Sequence, residues 1–433
     1  MDLLLCGHAV NPAENRMCRH LLDTSAEDVD FVRLLTGCGI DFDLACLDCD
    51  KAVEAGGPVE LIEVCEGCVA GYADERPEAW HGQPGILERH EPVAQNVIET
   101  PLPAGLGPVT DLVPAGVDDG SVWILLVESG EIVRFDAESG AHTTLATATV
   151  PDEPGHQPWA GRALRRRLHV SADARFAAVV NDYGQHGQVF DLESGQVTFT
   201  LHGGVYRPKT VPFSLAFARH DGRDVVVHRT AWNRLDVSDP ATGELLTVRE
   251  FPPAESSEQR PPHYLDFFHG GLLVSPDDRW LVNDGWVWHP VGITRAWELR
   301  RWLTQDVWES EDGPTVVSLC SREYNWNLPM TWINDDLLAV SGLGQDDDLI
   351  PGARILSVET GLELGAFAGP DGAFFSDGAR LYSAGAAGME VWDPFTGQRT
   401  GRVPGFVPTC HARRTGELAA VDGGILRRWC TSS

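Results

Sequence analysis

The stretch that decides the fold is Trp392-Asp-Pro-Phe-Thr-Gly397, in which a β-rich run ends at an acidic residue and a glycine-terminated turn follows. The same succession of residue types recurs along the chain after residue 97. Its other copies are Phe135-Asp-Ala-Glu-Ser-Gly140, Phe190-Asp-Leu-Glu-Ser-Gly195, Leu235-Asp-Val-Ser-Asp-Pro-Ala-Thr-Gly243 and Leu356-Ser-Val-Glu-Thr-Gly361. Each copy leads into another short β run, so the pattern predicts a series of small antiparallel sheets built from one repeated unit.

A second element lies upstream of several of these turns. Its copies are Val170-Ser-Ala-Asp-Ala-Arg175, Val274-Ser-Pro-Asp-Asp-Arg279 and Phe375-Ser-Asp-Gly-Ala-Arg380. Together the two elements resemble the WD-repeat family, in which a Ser-Pro-Asp-Gly-type turn joins the first two strands of a blade and a Trp-Asp-x-x-Thr-Gly element ends the third. The resemblance covers residues 97–433 and implies a β-propeller. The Gly-His dipeptide of that family is missing at the expected places, so a quinoprotein-like or lactonase-like propeller is the alternative.

The number of blades follows from the spacing of the turns. The long gap between Gly243 and Gly361 holds one additional blade, which includes Trp280-Leu-Val-Asn283. The last unit, between Gly416 and Trp429, supplies only three strands. We expect Val97–Leu102 to supply its missing outer strand, so that no sheet edge stays open. The prediction is a mainly β fold with a β-propeller domain of about seven four-stranded blades at residues 97–433.

The N-terminal region has a different character, because seven of the ten cysteines lie in the first 68 residues. Cys46-Leu-Asp-Cys49 and Cys65-Glu-Gly-Cys68 are separated by fifteen residues. Two CxxC turns at this spacing can close a tetrahedron of thiolates around one zinc ion, and a short strand-like run precedes each pair, as in a zinc ribbon. We therefore predict a small zinc-bound α+β module at residues 1–92, with these four cysteines as its first zinc site.

A second zinc site is predicted from a repeated C-x-H dyad. Its ligands are Cys6, His8, Cys18 and His20, with Cys38 as an alternate ligand in place of one histidine. The other interpretation of the two histidines is that they are solvent-exposed neighbours of ligating cysteines. One or two zinc ions are thus expected. The four pairs also resemble a RING-type cross-brace, in which alternate pairs share an ion, but two C-x-H pairs depart from that family and Cys38 has no place in it.

A helix is predicted between the dyads and the first CxxC pair. Thr24-Ser-Ala-Glu27 has the residues of a capping box, which commonly opens a helix. The apolar side chains of Phe31, Val32, Leu34 and Leu35 would form one face of this helix. Gly37 would then end it.

The charge of the chain limits the classes of partner. The net charge is −31, and residues 1–95 hold 19 acidic and only 6 basic side chains. A polyanion is repelled by such a field, which makes a nucleic-acid partner unlikely and favours a basic protein partner. The longest apolar runs are too short to span a membrane, and no secretory signal is readable at the N-terminus. The expected location is therefore cytoplasmic.

The sequence contains no motif typical of an enzyme. It has no G-x-S-x-G, P-loop or HExxH motif, and its histidines are dispersed. Eight of the fourteen tryptophans lie between Trp280 and Trp332, where they either pack between sheets or line a ligand groove. We predict a non-enzymatic protein-binding scaffold. The alternatives are a propeller enzyme, a lyase or hydrolase with a site in the central channel, and nucleic-acid-linked regulation through the zinc module.

Overall fold

The computed structural model describes residues 16–22, 31–35, 42–54, 57–64, 97–116, 120–153, 165–250, 260–344 and 349–431. The chain divides into two compact units. Unit 1 comprises Met1–Ala94, Pro329–Ile333 and Leu337–Gly405, and unit 2 comprises Gln95–Leu328, Asn334–Asp336 and Phe406–Ser433. The division into domains at residues 1–92 and 97–433 stays a prediction.

The N-terminal module, in unit 1, combines a four-stranded sheet with two short helices. Its elements are β1 (Arg16–Cys18), α1 (Arg19–Leu22), β2 (Phe31–Leu35), β3 (Phe42–Cys46), α2 (Leu47–Glu54) and β4 (Leu61–Glu63). The strand order is β2-β3-β1-β4, and β1 is parallel to β3 but antiparallel to β4. This mixture of strands and helices agrees with the predicted α+β character, and β3 and β4 confirm the strand-like runs around residues 42 and 61.

The predicted helix over Phe31–Leu35 is wrong, because this segment is strand β2. It pairs antiparallel with β3, and Phe31 lies opposite Cys46. Pairing with a neighbouring strand satisfies the backbone of so short a segment, whereas a single helical turn leaves its end groups unpaired. The capping-box residues lie outside the described part of the chain.

Seven antiparallel sheets, called sheets I to VII, are described after residue 97. Six of them have four strands and one has three. Their strands are, in sheet I, β6 (Val109–Pro114), β7 (Val122–Val127), β8 (Glu131–Asp136) and β9 (His142–Thr147); in sheet II, β10 (Arg165–Val170), β11 (Phe176–Asp182), β12 (His186–Asp191) and β13 (Gln196–His202); in sheet III, β14 (Leu215–His220), β15 (Arg223–Ala231) and β16 (Arg234–Ser238); in sheet IV, β17 (Phe268–Val274), β18 (Trp280–Val287), β19 (Val291–Glu298) and β20 (Val317–Glu323). The remaining strands are, in sheet V, β21 (Met330–Trp332), β22 (Leu337–Leu343), β23 (Ile350–Ser357) and β24 (Glu363–Ala368); in sheet VI, β25 (Ala373–Ser376), β26 (Leu381–Gly385), β27 (Gly388–Trp392) and β28 (Arg399–Pro404); in sheet VII, β5 (Ile98–Pro101), β29 (Cys410–Ala412), β30 (Glu417–Asp422) and β31 (Ile425–Cys430). Consecutive antiparallel sheets of this size fit a β-propeller.

Three short helical segments lie between these strands. They are a 3-10 turn at Pro208–Thr210, α3 (Leu299–Thr304) and α4 (Glu309–Asp312). Helices α3 and α4 are inserted between β19 and β20 of sheet IV. No helix in the described parts of the chain combines the length and the apolar character that crossing a bilayer requires.

The repeated glycine-terminated turns form where the sequence predicts them. In the turn that begins at Asp136, carboxylate Oδ1 accepts the backbone N–H groups of Glu138 and Ser139, and Gly140 N–H donates to the Asp136 carbonyl. The same hydrogen bonds recur in the turns that begin at Asp191, Asp239 and Asp393. Gly140 has φ 73°, a left-handed conformation that only glycine adopts without strain.

The predicted closing strand is confirmed. Strand β5 pairs antiparallel with β31, with Ile98 opposite Arg428 and Pro101 opposite Ile425. The Arg427 guanidinium Nε lies 3.2 Å from Glu99 Oε1, which adds a side-chain contact across the same pair of strands. The outer edge of β31 is therefore covered by a segment more than three hundred residues away in sequence.

Sheet III departs from the predicted four strands. The segment after Gly243 pairs with the end of β16 over a short stretch only, where Leu246 N–H donates to the Val237 carbonyl and Leu245 forms an isolated bridge with Ser238. Further along, side chains make the contacts: Thr247 Oγ1 accepts the Val237 N–H, and the Arg249 guanidinium donates to the Leu235 carbonyl. The Thr247 and Arg249 side chains thus bond backbone groups of β16 that would otherwise pair with the backbone of a fourth strand. Arg249 is itself buried and held by Asp236 and by Glu311 of α4.

The apolar core lies between neighbouring sheets. All seven residues of β11 are buried. Between sheets III and IV the buried side chains include Val237, Leu281 and Trp297. Burial of one large apolar side chain contributes about 1.5–3 kcal/mol, so these contacts account for much of the stability of the sheets.

Candidate functional site

Four side chains of metal-binding type meet at one edge of the N-terminal sheet: Cys18, His20, Cys46 and Cys49. Cys18 is the last residue of β1, and His20 lies in α1 directly after it. Cys46 is the last residue of β3, and Cys49 lies in the first turn of α2. Because β1 and β3 are parallel neighbours, both strands end at the same edge of the sheet, and the chain turns into a helix after each. The parallel pairing thus brings the two ligand pairs together.

The distances within this cluster suit a small tetrahedral ion. All four ligand atoms lie within 4.8 Å of one another. His20 Nδ1 is 3.1 Å from Cys49 Sγ and 3.7 Å from Cys46 Sγ, and the Cys46 backbone N–H donates to Cys18 Sγ at 3.2 Å. In a tetrahedral site with metal–sulfur bonds of about 2.3 Å, neighbouring sulfurs lie about 3.8 Å apart. The cluster therefore needs only small adjustments to hold a metal ion.

The protonation state of the cluster depends on whether a cation is bound. Burial, followed by the hydrogen bond with Cys46, raises the pKa of Cys49 to about 12. Burial also raises the pKa of Cys18. Without a positive charge these thiols stay protonated, whereas a bound divalent ion makes the thiolates the stable form and releases protons.

The cluster takes one pair from each predicted zinc site. Cys46 and Cys49 come from the predicted first site, and Cys18 and His20 come from the second. The other predicted ligands lie outside the described residues; they are Cys6, His8, Cys38, Cys65 and Cys68. The two predicted sets of four therefore stay predictions. In the predicted sets, and also in a cross-brace, the pair Cys18 and His20 and the pair Cys46 and Cys49 would bind different ions.

The sequence signal that was missed is the position of each pair relative to its strand. Cys18 and Cys46 both end a strand and precede a helix, although 28 residues separate them. Spacing rules favour the nearest matched pairs, and they do not reveal that β1 and β3 pair in parallel. A run of three residues such as Arg16–Cys18 is also too short to be recognised as a strand from its composition.

A second feature, in unit 2, is a group of aromatic rings called the aromatic platform. Its members are Tyr206, Trp232, Phe268, Trp286, Trp288 and Trp326. The Trp286 ring is stacked between Phe268 and Trp326, at centroid distances of 4.4 and 5.0 Å. Trp288 meets Trp286 edge-on at 5.1 Å. Phe268 and Trp286 are buried, whereas Tyr206 is 45% and Trp288 39% exposed, so the platform has a buried base and an open rim.

The tryptophans of the 280–332 region thus serve both purposes that the sequence left open. Trp297, Trp302 and Trp332 are buried in the core. Trp288 and Trp326 belong to the platform and keep part of their surface exposed. Burial, which sequence spacing does not show, separates the packing tryptophans from the exposed ones.

Two of the dispersed histidines, His228 and His269, are core residues, and His169 is partly buried. Burial lowers the pKa of His169 to about 3, of His228 to about 4 and of His269 to about 3, so all three are neutral at physiological pH. His228 Nε2 lies 2.9 Å from Ser238 Oγ, and His269 Nδ1 lies 2.9 Å from Asn283 Oδ1. These contacts give both rings a structural role within their sheets.

Comparison with known proteins adds little to this picture. No protein-family model matches the chain, and no curated protein sequence matches it. Among solved structures, a chain of the "Crystal Structure of Mitotic Checkpoint Complex" is similar with 15% sequence identity and a TM-score of 0.48. The match covers 80% of this chain and 96% of that one. The account of the fold therefore stands on the strand pairing itself.

Proposed function

We propose that this protein is a protein-binding scaffold whose N-terminal module is held together by zinc bound to Cys18, His20, Cys46 and Cys49. The convergence of these four side chains carries the proposal. Three thiolates and one imidazole are ligands that zinc prefers, and a tetrahedron filled by protein ligands is typical of a structural site rather than a catalytic one. Zinc here would supply the charge and the cross-links that fix α1 and α2 on the sheet.

The ligand set is tested by metal content. Native mass spectrometry and elemental analysis of the full chain should show that Cys18→Ser and Cys46→Ser each lose one zinc ion relative to the parent. Because both residues are assigned to one ion, the double variant should lose no more than either single variant. If they belong to two different ions, as the sequence-predicted sets have it, the double variant loses two. Cys430→Ser, which changes a cysteine in β31, is the control and should keep the full metal content.

The scaffold function is supported by the exposed rim of the aromatic platform. Aromatic side chains are enriched in protein interfaces, because they bury a large apolar area at a small cost in side-chain entropy. The net charge of −31 favours the approach of a partner whose own net charge is positive. Salt should slow this approach, since the screening length falls from about 10 Å at 0.1 M to about 3 Å at 1 M.

The scaffold is tested by affinity capture with the zinc-loaded full chain as bait, followed by cross-linking and mass spectrometry. The expected result is a partner enriched over bait that was heat-denatured beforehand, with cross-links to residues 202–211 or 287–290. Absence of any protein enriched over the denatured bait would contradict the scaffold. Cross-links found only in other segments would support the scaffold function but would place its binding surface away from the aromatic platform.

A further inference from the structure

The loop that connects sheets II and III lies against the aromatic platform. Within it Val205 is 76% and Tyr206 45% exposed. Thr210 holds the loop in place, because its hydroxyl donates to the Arg207 carbonyl at 2.9 Å and its own carbonyl accepts the Trp326 indole N–H at 2.9 Å. The exposed residues at the tip of this loop are therefore anchored to the base of the platform.

Arg207 adopts an uncommon backbone conformation in this loop. Its φ of 45° and ψ of 48° lie in the left-handed region, which non-glycine residues seldom adopt. The guanidinium lies over the Trp288 ring, with Cζ 4.8 Å from the ring centroid. The hydrogen bonds of Thr210 and the contact with Trp288 hold Arg207 in this position, so its side chain is placed before any ligand arrives.

The guanidinium of Arg207 is exposed and makes no ion pair with any carboxylate of the described residues. A cation–π contact uses the flat face of a guanidinium and leaves the N–H groups at its edge free to donate. Those edges match the two oxygens of a carboxylate, which can accept a bidentate pair of hydrogen bonds. Lys209, one of only two lysines in the chain, lies two residues further on, so this loop is locally basic in a strongly acidic protein.

We infer that the rim of the aromatic platform binds a peptide segment in which a carboxylate side chain stands next to an aromatic side chain. Arg207 accepts the carboxylate, and Tyr206 and Trp288 pack against the aromatic ring. The inference rests on the proposed scaffold function and names the chemistry of the segment that the scaffold recognises. A partner with a positive net charge satisfies both the long-range field and this site if it carries one such segment.

The experiment measures the binding of short fluorescein-labelled peptides to the full chain by fluorescence anisotropy at about 0.15 M salt, where the long-range field is screened beyond about 8 Å. The first peptide alternates Asp and Phe and has an amidated C-terminus. The others replace Asp by Asn, Asp by Arg, or Phe by Ala. A further peptide, alternating Asn and Phe with a free C-terminal carboxylate, separates a side-chain carboxylate from a chain-terminal one.

The Asp and Phe peptide should bind, and each replacement should weaken binding by about tenfold or more, because a charged hydrogen-bonded pair or a buried ring is lost. Arg207→Ala and Trp288→Ala should each weaken it by a similar factor. Arg207→Lys should fall between, since it keeps the charge but loses the planar edge. Arg223→Ala, which removes an exposed arginine at the start of β15 in sheet III, is the matched control and should stay within about twofold of the parent.

The inference is wrong if the Asn peptide binds as tightly as the Asp peptide, if the Arg peptide binds more tightly, or if Arg207→Ala leaves the affinity unchanged. Each variant alters exposed side chains, and a circular dichroism melt confirms that it is folded. Failure here leaves the scaffold standing if affinity capture still yields a partner that cross-links elsewhere. If affinity capture yields no partner but the peptide still binds, the scaffold function is wrong and the peptide-binding site is retained.

Discussion

The N-terminal module and the pair of sheets III and IV are stabilised in different ways. Among the described residues of the module, the buried cluster has eight members, and three of them are Cys18, Cys46 and Cys49. The cluster between sheets III and IV has ten buried residues, all of them apolar and two of them tryptophans. On the proposed function, the thiol-centred core of the module would gain its cohesion from a bound ion, whereas the core of aliphatic and aromatic side chains gains it from burial.

This difference predicts that each region responds to a perturbation that leaves the other unaffected. A chelator acts on the module alone, and a cavity in the apolar core acts on the sheets alone. The same contrast holds for the turns. Four glycine turns of the sheets use carboxylate-to-backbone hydrogen bonds, from Asp136, Asp191, Asp239 and Asp393. The described part of the module instead has Cys18 and Cys46 at the ends of two strands.

The largest expected effect is that of metal removal on the module. Structural zinc contributes roughly 10–16 kcal/mol of apparent binding energy in small zinc domains, so chelation should unfold residues 16–22 and 42–64. Hydrogen exchange with mass spectrometry should show these segments losing protection while sheets III and IV keep theirs. The contrary result is a module that keeps its hydrogen-exchange protection after elemental analysis has shown that the metal is removed. Packing would then stabilise the module, and the contrast with sheets III and IV would not hold.

The next effect is that of a cavity in the sheets. Trp297 is fully buried and meets Trp302 edge-on at 5.8 Å, so Trp297→Ala should destabilise the sheets by about 3–5 kcal/mol. Trp288→Ala changes an exposed tryptophan near the same sheet and should cost less than about 1 kcal/mol. Denaturant unfolding followed by far-ultraviolet circular dichroism measures both, and the zinc content of both variants should be that of the parent. Equal destabilisation by the two changes would contradict the assignment of Trp297 to the core.

A smaller effect concerns Asp224, a buried carboxyl in sheet III. Burial, and then the hydrogen bond with Asp173, raise its pKa to about 6. Because the folded state holds the proton more tightly than the unfolded state, stability is lost as the pH rises from about 4 to about 6, by up to about 3 kcal/mol in all. Asp224→Asn removes the ionisation and should stabilise the protein at about pH 8 while changing little near pH 4.

The control for this change is Asp422→Asn, which removes an exposed carboxyl from the last residue of β30. It should shift the unfolding midpoint by the same small amount at both pH values. Thermal melts across this pH range separate the two variants. A stabilisation by Asp224→Asn that is independent of pH would assign the effect to packing instead of ionisation.

The smallest expected effect is that of a single turn. Gly140 has φ 73° and open space around the position of a Cβ atom, so Gly140→Ala adds backbone strain alone and should cost about 1 kcal/mol. Gly365 in β24 also has open space but lacks a positive φ, which makes Gly365→Ala a matched control with no such penalty. Unfolding midpoints measured by denaturant compare them. No difference between the two variants would show that the left-handed conformation is not required for the turn.

Local sequence determined the repeated sheets of this protein. An Asp followed by a turn-forming run and a glycine specifies its own hydrogen bonds within five residues, as Asp136–Gly140 shows, and the repetition of that unit predicts the number of sheets. The closing strand at Val97–Leu102 was also predictable, because the last unit lacks a strand and the segment before the first unit has the composition of one. The metal-binding type of the clustered side chains was readable as well, since Cys and His pairs at short spacing are typical of metal sites.

Tertiary structure alone decided which of those ligands meet and which aromatic rings stay exposed. Cys18 and Cys46 are brought together by the parallel pairing of β1 with β3, and a pairing between distant strands depends on packing that residue spacing does not encode. The segment Phe31–Leu35 became a strand for the same reason, because β3 offered it a partner. In the same way, Trp288 lies in the turn between β18 and β19 and Trp297 lies in β19, yet Trp297 is buried in the core and Trp288 lies at the platform rim. Short-range propensity specifies turns and ligand types, whereas the contacts between distant segments determine the site.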